Sequence, residues 1–220
     1  MSGEELLSIY DGKRPYKIAW EELAQITDIE EQCHRSGARY DPGSRRIFIN
    51  FLNRMHVVSL SDRDIFLKDS EEEVPRREKT LILHYLTLAK GTPLTGKLIT
   101  YKQVPGGLAY FPRFSQLAVQ PLLSHFGERP ELLIPAAQKL GGERIERGDA
   151  AVVLRPFSRV SITIVLQRGD EEFPPAASLL FDSSITDYLP SQDIRIGCEI
   201  LAWRLIRFST NVTSSPQHSF

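Results

Sequence analysis

Residues 150–182 constrain the fold of this chain more than any other stretch of it. They hold three short runs, residues 150–154, 159–166 and 177–181, whose apolar and β-branched side chains are typical of strands. The second run alternates between two faces along most of its length, which is the period of a strand with a buried side. Since the joints between the runs are short and carry turn residues, we predict an antiparallel meander.

A second group of alternating runs occurs earlier in the chain. Residues 46–51 alternate clearly. Residues 38–41 lead into the turn before them, residues 55–60 follow, and residues 65–67 are a candidate fourth short strand. We therefore predict a second antiparallel meander. The sequence leaves open whether the two meanders form one sheet or two.

Helical patterns surround both meanders. One helix is predicted over residues 16–32 and ends before Gly37, and another begins at Pro75 and runs to about residue 90. The second is apolar nearly all round, which indicates a buried central helix. Further helices are predicted over residues 110–126, 130–140 and 191–208, the last with an apolar stripe that includes Cys198.

The predicted fold class is α+β, with antiparallel β meanders packed against a buried central helix and a C-terminal helix. No linker rich in proline, glycine or serine interrupts the middle of the chain, so we expect one domain over residues 16–208. Residues 1–15 are expected to form a flexible lead-in and residues 209–220 a disordered polar tail.

Composition excludes several functional classes. The chain has 27 basic and 28 acidic residues, a balance that argues against electrostatic binding of nucleic acid. No apolar run approaches the roughly 20 residues of a membrane span, and the mixed, acidic N-terminus is unlike a signal peptide. Two cysteines are too few for a disulfide framework, so we expect a cytoplasmic protein without membrane or nucleic-acid partners.

Common catalytic and nucleotide-binding motifs are absent. The sequence has no dinucleotide fingerprint, phosphate loop, zinc-protease helix, serine-hydrolase elbow or paired CxxC. Cys33 and His34 are adjacent on a predicted helix, and their side chains diverge too far for them alone to hold a metal. We therefore assign no catalytic residue and no metal site.

His84 is the first candidate for a binding role, because it lies inside the apolar central helix. Two interpretations remain open: a neutral core histidine that bonds to a backbone carbonyl, or a ligand or acid–base group in a pocket. The loop of residues 91–107 is a second candidate region, since long loops in compact domains are often functional. Its glycines flank Lys97 and Tyr101, and such a loop could bind an anion.

Charged residues near the meander supply the remaining candidates. Asp170, Glu171 and Glu172 form an acidic turn, stiffened by two prolines, that is either a solvated turn or a site for a metal or a substrate amine. Guanidinium groups suit carboxylate or phosphate ligands, and the basic candidates are Lys97, Arg113, Arg155 and Arg159. Alternatively, these cations pair internally with the acidic turn.

Several segments resemble the domain-of-unknown-function 3786 family. They are LILHYLTLAKGTPLTGK at residues 81–97, VPGG at residues 104–107, RPFSRVSITIVLQRGDEEFPP at residues 155–175 and LFDSSITDYLP at residues 180–190. The resemblance extends over residues 16–206. It implies no defined activity, but it implies a setting in anaerobic bacteria and archaea, where some relatives carry a ferredoxin-like iron–sulfur module and tetrapyrroles are common.

Three hypotheses follow. The first is a cytosolic binding protein for a small anionic ligand, with a tetrapyrrole or a metal-containing compound as candidates, in anaerobic metabolism. In it, Lys97, Arg113 and Arg159 would meet ligand carboxylates and His84 would be an axial ligand. The second is an enzyme of unknown reaction, with Glu171 or Glu172 as the acid–base group or as a metal ligand and His84 as its partner. The third is an accessory protein that docks on a larger redox enzyme.

Overall fold

A computed structural model of the chain describes residues 13–210. The predicted lead-in and tail therefore lie largely outside the described residues. The secondary structure in chain order is α1 Lys13–Leu23, α2 Ile29–Ser36, β1 Arg39–Asp41, β2 Arg46–Phe51, β3 Arg54–Ser59, β4 Asp64–Leu67, α3 Arg76–Leu88, β5 Leu98–Thr100, α4 Gly107–Phe114, α5 Gln120–Phe126, α6 Leu133–Lys139, β6 Glu143–Ile145, β7 Ala150–Phe157, β8 Val160–Gln167, β9 Ala176–Asp182 and α7 Ser191–Thr210.

The predicted meander at residues 150–182 is confirmed as the centre of a five-stranded antiparallel sheet in the order β5-β9-β8-β7-β6. Its apolar positions are in register across the strands, so that Leu154, Ile162 and Phe181 share one buried face. β7 continues past Leu154, where the sequence pattern predicts its end, because a bulge accommodates Pro156, which has no backbone N–H for the ladder.

The earlier meander forms a separate four-stranded antiparallel sheet in the order β1-β2-β3-β4. All four strands predicted there are present. Ile47, Ile49 and Phe51 face the core, and Phe48 and Asn50 lie on the opposite, outer face. The α+β fold class is thus correct, and its two meanders are two sheets.

The single helix predicted over residues 16–32 is wrong. The structure has α1 and α2 there, separated at residues 24–28, and the side chain of Asp28 caps α2 by accepting a hydrogen bond from the Glu31 N–H at 2.9 Å. The predicted end of the helix is confirmed, since Gly37 adopts the left-handed conformation that closes α2.

The helix predicted over residues 110–126 is longer and less regular than expected. It begins at Gly107, includes Pro112, and passes through a π-helical segment, Ser115–Val119, between α4 and α5. Gly107 has no room for a side chain, because a Cβ there would lie 1.9 Å from the Tyr101 carbonyl oxygen.

The core joins both sheets to the buried helix α3. Tyr85 of α3 stacks on Phe157 at 3.9 Å between ring centroids, and Phe157 contacts Phe51 of the first sheet at 4.8 Å. α7 packs against α3 and against the helices that cover the second sheet, and Cys198 at its centre is fully buried as predicted. Among residues 13–210, no helix has both the length and the apolar character needed to cross a bilayer.

Candidate functional site

His84 bonds to a carboxylate. Its Nδ1 lies 3.0 Å from Oδ2 of Asp193, a fully buried residue in the first turn of α7, and the other oxygen of Asp193 has no hydrogen-bond partner. Burial lowers the pKa of His84, but the hydrogen bond and charge of Asp193, with a contribution from Glu22, outweigh it and raise the pKa above the ordinary value. His84 therefore differs from the carbonyl-bonded core histidine of the first interpretation.

Tyr101 belongs to the core. Its ring stacks on Phe114 at 4.0 Å between centroids, its hydroxyl donates to the Ser191 carbonyl at 2.9 Å, and burial raises its pKa to about 12. Arg113 donates to the Gln116 side chain at 2.9 Å. Lys97 is exposed just before β5, and its carbonyl accepts from the Ser183 N–H at 2.8 Å. The contacts of Tyr101 and Lys97 make the loop of residues 91–107 part of the scaffold, whereas the Arg113 contact lies beyond the loop.

The loop of residues 90–97 is held by two aspartates of the LFDSSITDYLP segment. Asp182 accepts hydrogen bonds from the N–H groups of Thr95 and Gly96 at 3.0 and 2.7 Å. Burial raises its pKa, but these N–H groups and that of Ser184 outweigh burial and lower the pKa to about 2. Asp187 binds Lys90 at 2.8 Å. Two of the segments that carry the family resemblance thus stabilise each other.

The acidic turn is folded on itself. Oδ1 of Asp170 accepts from the N–H groups of Glu172 and Phe173 at 2.9 and 2.7 Å, while the side chains of Glu171 and Glu172 are exposed. The internal pairing between this turn and the arginines is not formed among the described residues. Arg155 instead binds Glu143 at 3.2 Å.

The structure does not bring the sequence-predicted residues into one site. Arg159 precedes β8 and the acidic turn follows it, so the eight residues of that strand place them roughly 25 Å apart. Lys97 and Arg159 lie at the same end of the sheet, but β9 separates their strands. His84 lies on α3, and its side chain contacts Asp193 of α7.

Arg159 is distinguished from the other cations by its environment. Within residues 14–210, it is the one arginine or lysine that is not solvent-exposed and whose side chain has neither a hydrogen bond nor an ion pair. Its Nε lies 3.5 Å from the position that a Cβ on Gly37 would occupy. Burial raises the pKa of Tyr85 and Tyr188, and the Arg159 charge partly opposes this, so the guanidinium lies near both phenols.

A groove of about 380 Å³ runs between the β7–β8 turn and the outer face of the first sheet. We call it the hairpin groove. Arg159 borders it, since the guanidinium lies against Gly37 and follows Ser158, and both of these residues line the groove. The full lining is Gly37, Ala38, Arg39, Phe48, Asn50, Met55, Lys68 and Ser158, which includes two cations and no acidic residue.

The sequence-based prediction included Arg159, which borders the hairpin groove, but none of the residues that line it. The alternation of residues 46–51 did contain a signal, because it puts Phe48 and Asn50 on the face opposite the core. It could not show that the β7–β8 turn, more than 100 residues later, closes the groove, because the contact of Ser158 with Gly37 is tertiary; the two lie 121 residues apart and are joined by a 3.3 Å hydrogen bond.

In the described part of the chain, no group of three or more His, Cys, Asp or Glu side chains could hold a metal ion. His56 is buried, and its Nδ1 lies 3.0 Å from the Arg54 carbonyl oxygen. Burial lowers its pKa to about 4, against the opposing effect of that hydrogen bond. It is thus a neutral core histidine, of the kind considered for His84.

Comparison with known families gives one match. The model of the family described as Domain of unknown function (DUF3786) matches residues 28–204, a range that includes both sheets and the whole hairpin groove. No curated protein and no solved structure matched the chain.

Proposed function

This chain belongs to the DUF3786 family, and from that premise we propose that it is a binding protein for a small organic anion, which occupies the hairpin groove beside Arg159. The observation that carries the proposal is the lack of any partner for this shielded guanidinium within the described residues. A cation that is partly removed from water is costly unless an anion or hydrogen-bond acceptors compensate it. A bound anion would supply that compensation.

The lining of the groove indicates the class of anion. Arg39 and Lys68 add two further positive charges, and Asn50 and Ser158 offer polar groups. Arginine and lysine bind carboxylate and phosphate groups well, so a ligand with two or more such groups fits this site better than a single carboxylate does. Phe48 provides an apolar surface, and the guanidinium of Arg39 lies 4.3 Å from its ring centroid.

The size of the groove favours a compact ligand. Its volume of about 380 Å³ lies near the lower end of the roughly 300–1,000 Å³ range of small-molecule sites. A tetrapyrrole bound axially by His84 stays a separate prediction, and none of the five described cavities has His84 in its lining. We propose a compact polycarboxylate or phosphorylated metabolite instead.

We place this activity in the cytosol of an anaerobe. Cys33 and Cys198 are both buried and unpaired, which suits a reducing compartment. The proposal of an anaerobic host rests on the family resemblance. Fractionation of the native host with an antibody to the protein tests the location. Recovery with the periplasmic or secreted fraction would contradict it.

Isothermal titration calorimetry with citrate and with pyrophosphate tests the binding proposal. At low ionic strength we expect saturable binding of at least one of these anions, with an affinity that falls as salt is added. Arg159→Gln should weaken that binding by about tenfold or more, since hydrogen bonds to charged groups contribute about 1.5–3 kcal/mol.

Arg155→Gln is the matched control, because Arg155 belongs to the same hairpin but is exposed and paired with Glu143. It should leave the dissociation constant within about twofold. Absence of binding by both anions, or an equal loss in the two variants, would overturn the proposal. Haem, titrated in parallel against His84→Ala, tests the separate tetrapyrrole prediction.

A further inference from the structure

A second cavity lies where the connection between α1 and α2 packs against one end of the first sheet. We call it the corner cavity. Its volume is about 280 Å³, and it does not share a lining residue with the hairpin groove. Its apolar walls are formed by Trp20, Leu23, Ala24, Ile26, Ile29 and Leu60, and Thr27 and Tyr40 add two hydroxyl-bearing side chains to the lining.

The charged groups of the corner cavity are two arginines. Arg45 and Arg63 line it, both are solvent-exposed, and the lining includes no acidic residue. Within the described chain, neither guanidinium has a hydrogen bond or an ion pair. A partly open cavity with apolar side chains and two unengaged guanidinium groups is complementary to a ligand with one apolar end and one anionic end.

The sheet register brings the two arginines to the same end of the sheet. Arg46 pairs with Ser59, and Ser59 pairs with Asp64, so that Arg45 and Arg63 extend the same row of partners by one residue. Two strand spacings separate their backbones by roughly 10 Å, a gap that two arginine side chains can span. Both occupy turn positions of positive φ, at 53° and 50°, which glycine or asparagine adopts at lower cost.

We infer that the corner cavity binds an aliphatic monocarboxylate, with its hydrocarbon chain among the apolar side chains and its carboxylate between Arg45 and Arg63. The assignment to an aliphatic chain rests on the apolar side chains of Leu23, Ile26, Ile29 and Leu60, which offer no partner for polar groups along the chain of the ligand. This ligand differs from the polyanion proposed for the hairpin groove, and the two sites stand independently.

Trp20 gives a direct measurement. It lines the cavity and is 5% exposed, whereas Trp203, the other tryptophan, is 56% exposed on α7. In a Trp203→Phe background the fluorescence comes from Trp20 alone. We expect a saturable change on titration with hexanoate, and affinity that rises about fourfold for each added methylene from propanoate upward until the cavity is filled.

Two sets of variants separate the roles of the head group and the chain. Arg45→Gln combined with Arg63→Gln should weaken hexanoate by about tenfold but leave hexanol, the matched neutral ligand, unchanged. Ala24→Leu adds volume at an exposed position of the lining, so it should weaken hexanoate and hexanol alike. Arg147→Gln, an exposed arginine outside the cavity, and Arg159→Gln are the controls and should change neither.

Three results would overturn the inference. They are the absence of a saturable change with any of the carboxylates, equal affinity for hexanoate and hexanol, and an unaltered hexanoate affinity in the double arginine variant. A loss of hexanoate binding in Arg159→Gln would instead place the carboxylate in the hairpin groove and would contradict the assignment to the corner cavity.

Discussion

The effect of Arg159 on stability shows whether it is a ligand anchor, which binds an anion, or a structural residue, which supports the fold. If its shielded charge awaits a ligand, the free protein carries an uncompensated desolvation cost. Arg159→Met keeps most of the side-chain length and removes the charge, so we expect the free energy of unfolding to rise by up to about 1 kcal/mol. Urea denaturation without added anions measures it.

The opposite sign would identify a structural role. Arg159 lies next to Gly37, at the C-terminus of α2, where a positive charge stabilises a helix by about 0.3–1 kcal/mol. A fall of that size in Arg159→Met would therefore contradict the ligand-anchor interpretation. Arg155→Met, at an exposed and paired position, should change the free energy of unfolding by no more than about 0.5 kcal/mol.

The pair His84–Asp193 predicts a pH-dependent stability. Because the pKa of His84 in the folded protein is raised above the ordinary value of 6.5, folding favours the protonated ring. The stabilisation by this charge pair is thus fully present below about pH 6.5 and is lost as the pH rises through the folded-state pKa. Asp193→Asn should therefore lower the free energy of unfolding by about 1–3 kcal/mol at acidic pH and by less at alkaline pH.

Chemical denaturation of the wild type and of Asp193→Asn at acidic and at alkaline pH measures the difference in the free energy of unfolding. His56→Gln is a useful comparison, because burial lowers the pKa of His56 to about 4 and its contribution has the opposite sign. That contribution is present above pH 6.5 and is lost as the pH falls towards 4. An equal loss at acidic and alkaline pH in Asp193→Asn would show that the charge on His84 does not stabilise the fold.

At the residue scale, the sequence identified side chains more readily than their partners. It placed His84 on a buried helix and Cys198 in the core, since both follow from helical periodicity. It could not find Asp193, which is 109 residues away from His84 in the chain. The same limit applies to Arg159, because the absence of a counter-ion is a property of tertiary structure.

At the scale of elements, α3 and α7 are joined by a buried ionic network. Glu199 accepts hydrogen bonds from Arg77 at 2.7 Å and from Arg195 at 3.3 Å, and it is almost fully buried. Glu199→Ala leaves two shielded guanidinium groups without this partner, so we expect a loss of about 3–5 kcal/mol in the free energy of unfolding.

The double variant Arg77→Met/Glu199→Met is the control for this prediction. Glu199→Ala takes this carboxylate from both Arg77 and Arg195, whereas in the double variant only Arg195 loses it, so the double variant should be more stable than Glu199→Ala. Thermal denaturation of the three proteins measures the order. A double variant less stable than the single one would show that the pair itself, rather than the avoidance of unpaired charge, stabilises the helix contact.

The strands were more predictable than the helices. Alternation located β2, because one of its faces is buried and the other is not. β3 does not alternate in this way, since residues 56–59 are all buried. The break between α1 and α2 was missed because Leu23 and Ile26 continue an apolar pattern across it, although Asp28 was a readable start signal for a new helix. The helix predicted from residue 110 begins three residues earlier, at Gly107, and the chain tolerates Pro112 inside it.

At the scale of the whole molecule, the contact between the two sheets was invisible in the sequence. It depends on few groups: the Leu52 N–H donates to the Pro156 carbonyl at 2.9 Å, and Phe51 packs on Phe157, which stacks on Tyr85 of α3. Periodicity gives the faces of each sheet but not which faces meet. A single domain over residues 16–208 therefore stays a prediction. If the two sheets unfold cooperatively, the contact between them is what couples their unfolding.

The two tryptophans can decide whether the molecule unfolds as one unit. Trp20 of α1 packs beside the first sheet, and Trp203 lies on α7, which packs on the helices that cover the second sheet. If the contact through Phe157 couples the halves, tryptophan fluorescence and far-ultraviolet circular dichroism should give the same denaturation midpoint in Trp203→Phe, and again in Trp20→Phe.

Phe157→Ala, at a cost of about 3–5 kcal/mol, should lower both midpoints together. An earlier transition of Trp20 alone would show that α1 and the first sheet form a separate, weaker unit, and the single-domain prediction would then be wrong.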